Sequence, residues 1–456
     1  MTLPGQRLAS RLRAVQERVP APPERVQRAG LLGLQVGIAL MAMVSLHPYF
    51  LWEHQKAAYA AATLILMASG ACCFPALRIT RERMLLALAM LLFLIYLSIL
   101  PKVQGGVTRW FFLIPFALVF LHLRPHDLQG AFGKFYSLFA VSLLPGMVVW
   151  TWLVLGLPLQ VEWIFPPSDI VQREPTPYFM APGVVFLPAN AMLLPNGGTI
   201  FRLCAVYDEP GTVGTIAALC LAASRFRLSD PRGAISFLAG LMSFSIAFAV
   251  LVVVGLVATA AASRRPSLVV FATFGLLAGL VPAIGLDLKV DNPRRSTSLT
   301  MKLTPNHPYF KEEKRADFRE RVELFEHAQI RQTQALDNRA LPSMRRLFAE
   351  YASSGPGVLL FGIASNASNV HAGDSSSWLQ ILINHGLVGF AWLFVLFAAP
   401  LVWLWRKRRL DLAAGIFCLM FLMSFYQRPV IWLPAQMLIY FAGLLYRNGA
   451  QQARPT

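Results

Sequence analysis

The sequence predicts an all-α, polytopic integral membrane protein with about 12 transmembrane helices and two long outer loops. Of its 456 residues, 56% are hydrophobic and 14% are charged, and the mean hydropathy is +0.54. This balance excludes an ordinary soluble globule. Several apolar runs approach the ~20 residues that a helix needs to cross the hydrocarbon core. The basic residues are also distributed unevenly between alternate connectors, which is typical of proteins that cross the bilayer repeatedly.

The N-terminal residues 1–29 predict a cytoplasmic basic amphipathic segment. Leu8, Leu12, Val15 and Val19 recur at helical spacing, and arginines surround them. A helix of this kind lies on an anionic membrane surface. The segment is too long and too polar for the charged start of a cleaved signal peptide.

The apolar runs divide the rest of the chain. Transmembrane helices 1–5 are expected in 30–156, helices 6–9 in 211–286 and helices 10–12 in 377–446, with a cytoplasmic tail at 447–456. The stretch 233–263 fits two short spans or one long bent span. The individual runs are 30–46, 57–76, 84–100, 107–122, 136–156, 211–225, 233–245, 246–263, 267–286, 377–405, 411–426 and 429–446.

The charge distribution predicts the orientation. The two termini and alternate connectors together hold 22 basic and 6 acidic residues, a net charge of +16, whereas the rest of the chain carries +2 of the total +18. Short basic connectors stay in the cytoplasm. Both termini are therefore expected to be cytoplasmic. The charge indicates topology, so no nucleic-acid partner is expected.

The two long outer connectors are expected in the periplasm. Residues 157–210 are rich in proline and aromatic residues, and the apolar stretch 179–194, broken by Pro182 and Pro188, predicts a re-entrant or interfacial segment. Residues 287–376 predict a helical cap. Its two amphipathic faces are Phe318, Val322 and Phe325, and then Met344, Leu347, Phe348 and Tyr351 between Pro342 and Gly355–Pro356.

Several chemistries are not indicated. No GxxxxGK[ST] sequence suggests ATP, and no Asp-x-Asp pair suggests a metal that binds a nucleotide sugar. His122 and His126 have i, i+4 spacing, but Pro125 stands between them, so a metal site there is not expected. The five cysteines form no CxxC site. No cofactor and no metal are therefore expected.

What remains is a set of charged residues beside apolar spans on the outer side. Charges in that position mark a substrate path, and arginine binds phosphate oxygens in a planar, bidentate way. A site with arginines and no nucleotide motif suits a lipid-linked phosphate or pyrophosphate, although solvated loop charges are the simpler explanation for many of them. The residues are Arg202, Asp208 and Glu209 in FRLCAVYDEPGTVG (Phe201–Gly214), the pair Arg294–Arg295, His371, Asp374, and Arg428 in YQRP.

Two stretches resemble a known family. GTIFRLCAVYDEPGTVGTIAA resembles the R-x-x-G-x-[FY]-x-E-P-G/S motif of Wzy-type polysaccharide polymerases. MRRLFAEYASSGPGVLLFGIAS with DSSSWLQILINHGLVGF resembles the second signature of the same superfamily: an amphipathic helix, a [LF]-G-x-G turn, and L-x-x-L-x-x-x-G-x-x-G. LMSFS at 241–245 resembles its serine-containing span. O-antigen ligases share this architecture.

The chain departs from the family pattern at four places. Ala205 replaces the usual glycine of the first motif, and Ala364 replaces the second glycine of the turn. Ile246 stands where many members have arginine. Where ligases usually have His-Asn, this chain has serines preceded by Asp374, a difference that favours a polymerase.

The resemblance implies a GT-C-like fold and a metal-independent glycosyltransferase in the bacterial inner membrane, with its active site facing the periplasm. It implies that undecaprenyl-pyrophosphate-linked oligosaccharides are polymerised into surface polysaccharide. Arg202 is then the principal candidate for binding the pyrophosphate, with Arg428 and Arg294 as weaker partners. Asp374 or Glu209 is the candidate base, and His371 is the reserve.

Two other functions remain open. An O-antigen ligase would transfer the glycan to lipid A-core, and a flippase or transporter would carry the same lipid-linked glycan across the membrane. The absence of repeat halves argues against many transporter folds. The expected partners are the lipid-linked glycans, membrane lipid and a chain-length regulator protein.

Overall fold

The protein is described from a computed structural model. The structure describes residues 10, 12, 14–16, 22–101, 113–164, 178–187, 192–193, 199–263, 289–290, 299–302, 330–331, 342–365, 367–368, 378–407 and 411–445.

Helices make up most of this part of the chain. In chain order they are α1 (Glu24–Val44), α2 (Gln55–Cys72), α3 (Arg81–Ile99), α4 (Leu113–Phe120), α5 (Pro125–Val154), α6 (Pro210–Ala223), α7 (Pro231–Met242), α8 (Ile246–Ser263), α9 (Pro342–Ser353), α10 (Pro356–Phe361), α11 (Leu379–Arg406), α12 (Leu412–Gln427) and α13 (Pro434–Leu445).

Four of these helices, α1, α3, α5 and α11, are long and apolar enough to cross a membrane. Shorter apolar helices occupy Pro210–Ala223, Ile246–Thr259, Leu412–Tyr426 and Pro434–Leu444. The described residues are thus mainly helical, and several of the helices have the length or the apolar composition of membrane helices. The count of about 12 spans stays a prediction, and the span expected at 267–286 lies outside the described residues.

Several helices begin where a side chain satisfies the first amide groups. The side chains of Thr80, Asp230 and Asp411 accept hydrogen bonds from backbone N–H groups in the first turns of α3, α7 and α12. Such caps stabilise a helix by about 1 kcal/mol. Asp230 also accepts a bond from Arg232 Nε at 2.9 Å, and this hydrogen bond holds the pKa of the Asp230 carboxyl below its ordinary value.

Helix α6 lies at the centre of the fold. All 14 of its residues are buried, as expected for a helix that is apolar on every side. It packs against α7, α8, α12 and α13. A Cβ added at Gly214 would lie 2.4 Å from Ser245 Cβ, so a larger residue there would push α6 away from the start of α8.

The stretch 233–263 forms two helices. The number of membrane spans in it, two short ones or one long bent one, stays a prediction. Helix α7 ends at Met242 and α8 begins at Ile246. Phe244 between them has a φ of 45°, a left-handed conformation that ends a helix. The backbone N–H of Leu203 donates to Met242 O at 3.1 Å, so the break is joined to the segment that precedes α6.

Helix α11 is also broken. Gly386 has φ 63° and ψ −173°, outside helical geometry. The first part of α11 packs with α9 and α10 in a small hydrophobic cluster that is separate from the main core; its buried members include Met344, Leu347, Tyr351, Leu382 and Ile383. Helix α9 thus buries three of the four residues of the second predicted amphipathic face, and Phe348 packs against them. The first predicted face, Phe318, Val322 and Phe325, lies outside the described residues.

The two long connectors contain strands, which the all-α prediction did not include. A four-stranded sheet has the order β3-β2-β1-β7, formed by β1 (Leu159–Ile164), β2 (Tyr178–Ala181), β3 (Val184–Phe186) and β7 (Leu299–Lys302). Strand β7 runs parallel to β1, so the two connectors share one sheet. Two further pairs are β4 (Met192–Leu193) with β5 (Thr199–Ile200), and β6 (Lys289–Val290) with β8 (Ile330–Arg331).

The first half of the stretch 179–194, which was predicted to be a re-entrant or interfacial segment, forms a β-hairpin. Its relation to the membrane stays a prediction. Ala181 pairs with Val184 across a two-residue turn, and Gly183 supplies the positive φ of 80° that the turn requires. The flanking residues, Tyr-Phe-Met and Val-Val-Phe, favour strands because aromatic and β-branched side chains fit a pleated surface.

Candidate functional site

The segment 201–209 has no regular secondary structure and is almost entirely buried. Three parts of the fold hold its backbone. Val185 N of β3 donates to Ala205 O at 2.8 Å, and Tyr49 N, after α1, donates to Val206 O at 2.8 Å. Tyr178 Oη of β2 donates to Asp208 O at 2.8 Å. The charged motif is therefore a fixed part of the molecule and not a solvated loop.

Ala205 occupies the position where the resembled family usually has glycine, and its φ is 54°. A side chain in this left-handed region costs about 1 kcal/mol or more, which explains why glycine suits the position. Gly146 of α5 packs directly against it: a Cβ at Gly146 would lie 2.6 Å from Ala205 Cβ. Ala205 thus has a backbone conformation that glycine would adopt more easily.

Arg428 joins the last predicted outer turn to this motif. Its Nη2 donates to Glu209 Oε2 at 2.5 Å and to Thr212 Oγ1 at 2.6 Å. The Arg428 and Glu209 side chains are 22% and 18% exposed, so the pair is mostly shielded from water. Thr212 Oγ1 in turn donates to Asp208 Oδ1 at 3.3 Å. One arginine and two carboxylates are thereby arranged around the first turn of α6.

Arg428 Nε is buried, and in the part of the chain that the structure describes no group accepts a hydrogen bond from it. Buried donors are nearly always satisfied. The N-terminus of α6 begins at Pro210 beside this guanidinium and adds partial positive charge. A cation with an unused buried donor at a helix N-terminus suits an anionic oxygen ligand.

Arg202 has a different environment. It is half-buried, and its Nε donates to Ser243 O at 2.9 Å. Ser243 belongs to the break between α7 and α8, where a helical carbonyl is released from its usual partner. Arg202 therefore stabilises that break, and its guanidinium is oriented by the same bond. This structural role was not predicted from the sequence.

The structure brings together only part of the predicted site. Glu209 and Arg428 are in direct contact. Arg202 lies with Glu209 on the buried segment 201–209. Arg294, His371 and Asp374 lie outside the described residues. Their proposed roles stay predictions.

Glu209 serves as the partner of Arg428 in this structure. To act as a base, its carboxylate would have to accept a proton from an acceptor hydroxyl while it holds the guanidinium through Oε2. The geometry favours Glu209 as a residue that positions Arg428.

Four residues at this end of the molecule were missed. Thr212 and Ser243 contact the two arginines; Thr212 stands inside the quoted motif, directly after Pro210–Gly211. Asn384 and His385 immediately precede the break in α11. Asn384 Oδ1 accepts a bond from Ser368 N at 2.9 Å, and both residues occupy variable positions of L-x-x-L-x-x-x-G-x-x-G.

His385 connects the break in α11 to the loop that carries Arg428. Its backbone oxygen accepts a hydrogen bond from Tyr96 Oη at 2.6 Å. Its ring lies edge-on to that of Trp432, with ring centroids 5.7 Å apart. The imidazole is buried, and within the described residues its Nδ1 has no hydrogen-bond partner. The loop that follows α12 therefore contacts both resembled signatures, through Arg428 and Glu209 on one side and through Trp432 and His385 on the other.

The cysteine within the first motif is inert. Cys204 is completely buried beneath the sheet, beside Trp52, Tyr178 and Val185. Burial raises the pKa of its thiol to about 12. A thiol with so high a pKa holds almost no thiolate at neutral pH, so it is unsuited to nucleophilic chemistry.

Comparisons of the chain with family models, with curated proteins and with solved structures find no match.

Proposed function

We propose that the protein is a membrane glycosyltransferase that polymerises undecaprenyl-pyrophosphate-linked oligosaccharide repeat units into surface polysaccharide. The observation that carries the proposal is the guanidinium of Arg428. It is mostly shielded from water, it is oriented by Glu209 and Thr212, and its Nε is a buried donor without an acceptor in the described chain. Such a group suits a phosphate oxygen.

The reaction would proceed by attack of an acceptor hydroxyl on the anomeric carbon of the donor sugar. The bond from that carbon to the pyrophosphate oxygen breaks, and the lipid pyrophosphate leaves with its electron pair. Negative charge grows on the leaving oxygen, so cations positioned beforehand lower the barrier. Arg428 would hold the diphosphate directly, and Arg202, which lies on the buried segment 201–209 with Glu209, would be its partner.

The acceptor hydroxyl also needs a base. Asp374 is the proposed base and His371 the reserve, because Glu209 is already engaged with Arg428. Arg294 is a further proposed contact to the diphosphate. Activity of Asp374→Asn separates a base from a helix cap, since asparagine caps a helix about as well as aspartate but takes up no proton.

The proposed location is the bacterial inner membrane, with both termini in the cytoplasm and the reaction on the periplasmic face. The charge asymmetry of the connectors supports this orientation. The proposed partners are the lipid-linked glycans, membrane lipid and a chain-length regulator protein. A ligase is the second candidate, because the resembled superfamily contains both activities, and a flippase is the third.

Cells that lack the protein distinguish these functions. Loss of long surface glycan with single repeats retained indicates a polymerase. Unattached polymer indicates a ligase, and lipid-linked repeats trapped inside the cell indicate a flippase. Either of the last two results would refute the proposal. The cells should then be complemented with Arg428→Gln and, as a matched control, with Arg346→Gln, which replaces an exposed arginine of α9.

A further inference from the structure

A basic elbow lies at the end of the molecule opposite to Arg202 and Arg428. It comprises residues 74–83, which lead into α3, and residues 121–124, which connect α4 to α5. Backbone contacts join the two stretches. Arg78 N donates to His122 O at 2.9 Å. Arg83 Nη1 donates to Leu121 O at 3.4 Å and also to Leu123 O. These bonds fix the two stretches to each other.

The elbow concentrates positive charge. It carries four arginines, Arg78, Arg81, Arg83 and Arg124. Its only acidic residue, in 74–83 and 121–124 together, is Glu82. None of the ion pairs within the described part of the chain includes any of these four arginines. Arg78 and Arg124 are exposed. Guanidinium groups that are held on a fixed backbone and belong to no ion pair suit phosphate oxygens.

An apolar stripe begins at the elbow and continues along α3. Leu85, Leu88, Leu92, Ile95 and Ile99 are all exposed, by 43%, 37%, 44%, 38% and 73%. They follow Arg81 at intervals of four and three residues, which places them on one face of the helix with that arginine. Helix α3 is long and apolar enough to cross a membrane. A ligand that satisfies both features has a phosphate at one end and a hydrocarbon chain at the other.

The N-terminal segment also lies against the elbow. Leu12 packs on Ile79, Met84 and Phe74. Gln16 Nε2 donates to Phe74 O at 2.7 Å and to Leu77 O at 3.0 Å. Val15 remains 50% exposed. An apolar side chain left exposed beside basic residues is typical of a segment at the surface of a bilayer.

We propose that the basic elbow binds the phosphate of an anionic phospholipid, whose acyl chain lies along the exposed stripe of α3. The stripe favours a lipid over a free phosphate or a nucleic acid, because neither of those has a hydrocarbon part to cover it. Basic groups between helices at a membrane surface bind phospholipid headgroups in this way.

The test measures binding of phosphatidylglycerol to the purified full-length protein in detergent, with phosphatidylcholine as the neutral comparison. Arg78→Gln combined with Arg81→Gln should weaken phosphatidylglycerol binding about 25-fold, since each basic residue near an anionic surface contributes about fivefold. Arg83 is left unchanged because it holds two carbonyl groups of the fold. The double lysine variant, which keeps both charges, should bind within a few fold of the wild type.

The matched control is Arg28→Gln. Arg28 is exposed and basic like the elbow arginines, but Glu24 neutralises it at 2.5 Å, so the change should leave lipid binding unaltered. Loss of phosphatidylglycerol binding in this control would contradict the proposal that the elbow is the binding site. If the double glutamine variant does not fold, Arg124→Gln replaces it, with an expected loss of about fivefold. Wild-type affinity in the glutamine variants would also overturn the proposal.

A second arm separates the two sources of phosphate. Inorganic phosphate and glycerol 3-phosphate carry the charge but no acyl chain, and at millimolar concentration they should not displace the lipid. Full displacement by either compound, or equal binding of phosphatidylcholine, would show that the elbow does not select an anionic lipid.

Discussion

Single side chains determine how the end of the molecule around Arg428 is held together. Arg428 and Glu209 are 219 positions apart in the chain and are linked by a 2.5 Å contact. The same chain offers an exposed pair at the same distance, Arg28 and Glu24, with side chains 76% and 75% exposed. Water screens an exposed pair strongly, whereas a shielded pair retains more of its attraction.

The first prediction compares these two pairs. A double-mutant cycle with Glu209→Ala and Arg428→Ala should give a coupling free energy of about 1–2 kcal/mol. The cycle with Glu24→Ala and Arg28→Ala should give less than about 0.5 kcal/mol. The measurement is the free energy of unfolding of the purified protein in each variant. Equal coupling in the two cycles would remove the structural role assigned to Glu209.

The second prediction concerns Arg202. Lysine retains the charge, but it lacks the planar fork and the Nε–H that reaches Ser243 O. Arg202→Lys should lower glycan transfer about a hundredfold, a loss of ~3 kcal/mol of transition-state stabilisation. The control Arg346→Lys should be fully active. Full activity of Arg202→Lys at matched protein level would show that a point charge is sufficient there.

Breaks in helices are the main feature at the scale of elements. Helix α11 changes direction at Gly386, where a Cβ would lie 2.3 Å from Leu360 O. Gly362, with φ 86°, packs against the same place: a Cβ there would lie 2.6 Å from the carbonyl carbon of Asn384. Two glycines thus let the backbone after α10 cross α11 closely. The crossing positions His385 against Trp432.

The third prediction tests this crossing. Gly386→Ala should destabilise the protein by about 3 kcal/mol, because alanine neither adopts this backbone easily nor fits beside Leu360. The matched control is Gly415→Ala in α12, where a Cβ meets nothing within 4 Å; it should be neutral or slightly stabilising. The midpoint of thermal unfolding is the readout. Similar midpoints for the two variants would contradict the close crossing.

The sequence predicted these elements unevenly. The apolar helices, the helix Pro342–Ser353 with its buried face, and a turn at Gly355–Pro356 follow from helical periodicity and proline. The break at Gly386 did not, because the run 377–405 is mostly apolar and one glycine is compatible with a helix. The strand pairing of β1 with β7 joins residues about 140 positions apart, so local patterns contain no signal for it.

At the scale of the whole molecule, the two opposite ends of the helical core differ in how their charged residues are arranged. One end has Arg202, Glu209 and Arg428, held by buried contacts. The other has short connectors rich in arginine. The charge asymmetry was visible in the sequence, whereas the contact of Arg428 with Glu209 depends on how distant helices pack. Sequence could therefore nominate both residues but could not show that they pair.

The fourth prediction concerns orientation. Reporter fusions at Arg265 and Arg408 should be cytoplasmic, and fusions at Asp169 and Gln334 should be periplasmic, since net charges of +16 and +2 divide between the two groups of connectors. A long-connector fusion that reports from the cytoplasm would reverse the orientation and place the proposed reaction on the opposite face.

The most direct test of the proposed function uses purified protein in liposomes. Undecaprenyl-pyrophosphate-linked repeat units, isolated from cells that lack the protein, serve as both donor and acceptor, and polymer length is measured over time. The wild type and Arg346→Gln should form long chains and release the pyrophosphate lipid. Arg428→Gln should be slower by about a hundredfold, because the developing charge on the leaving group loses its principal cation. Polymer formed by Arg428→Gln at the wild-type rate, or no glycosidic bond formed by the wild type, would contradict this account.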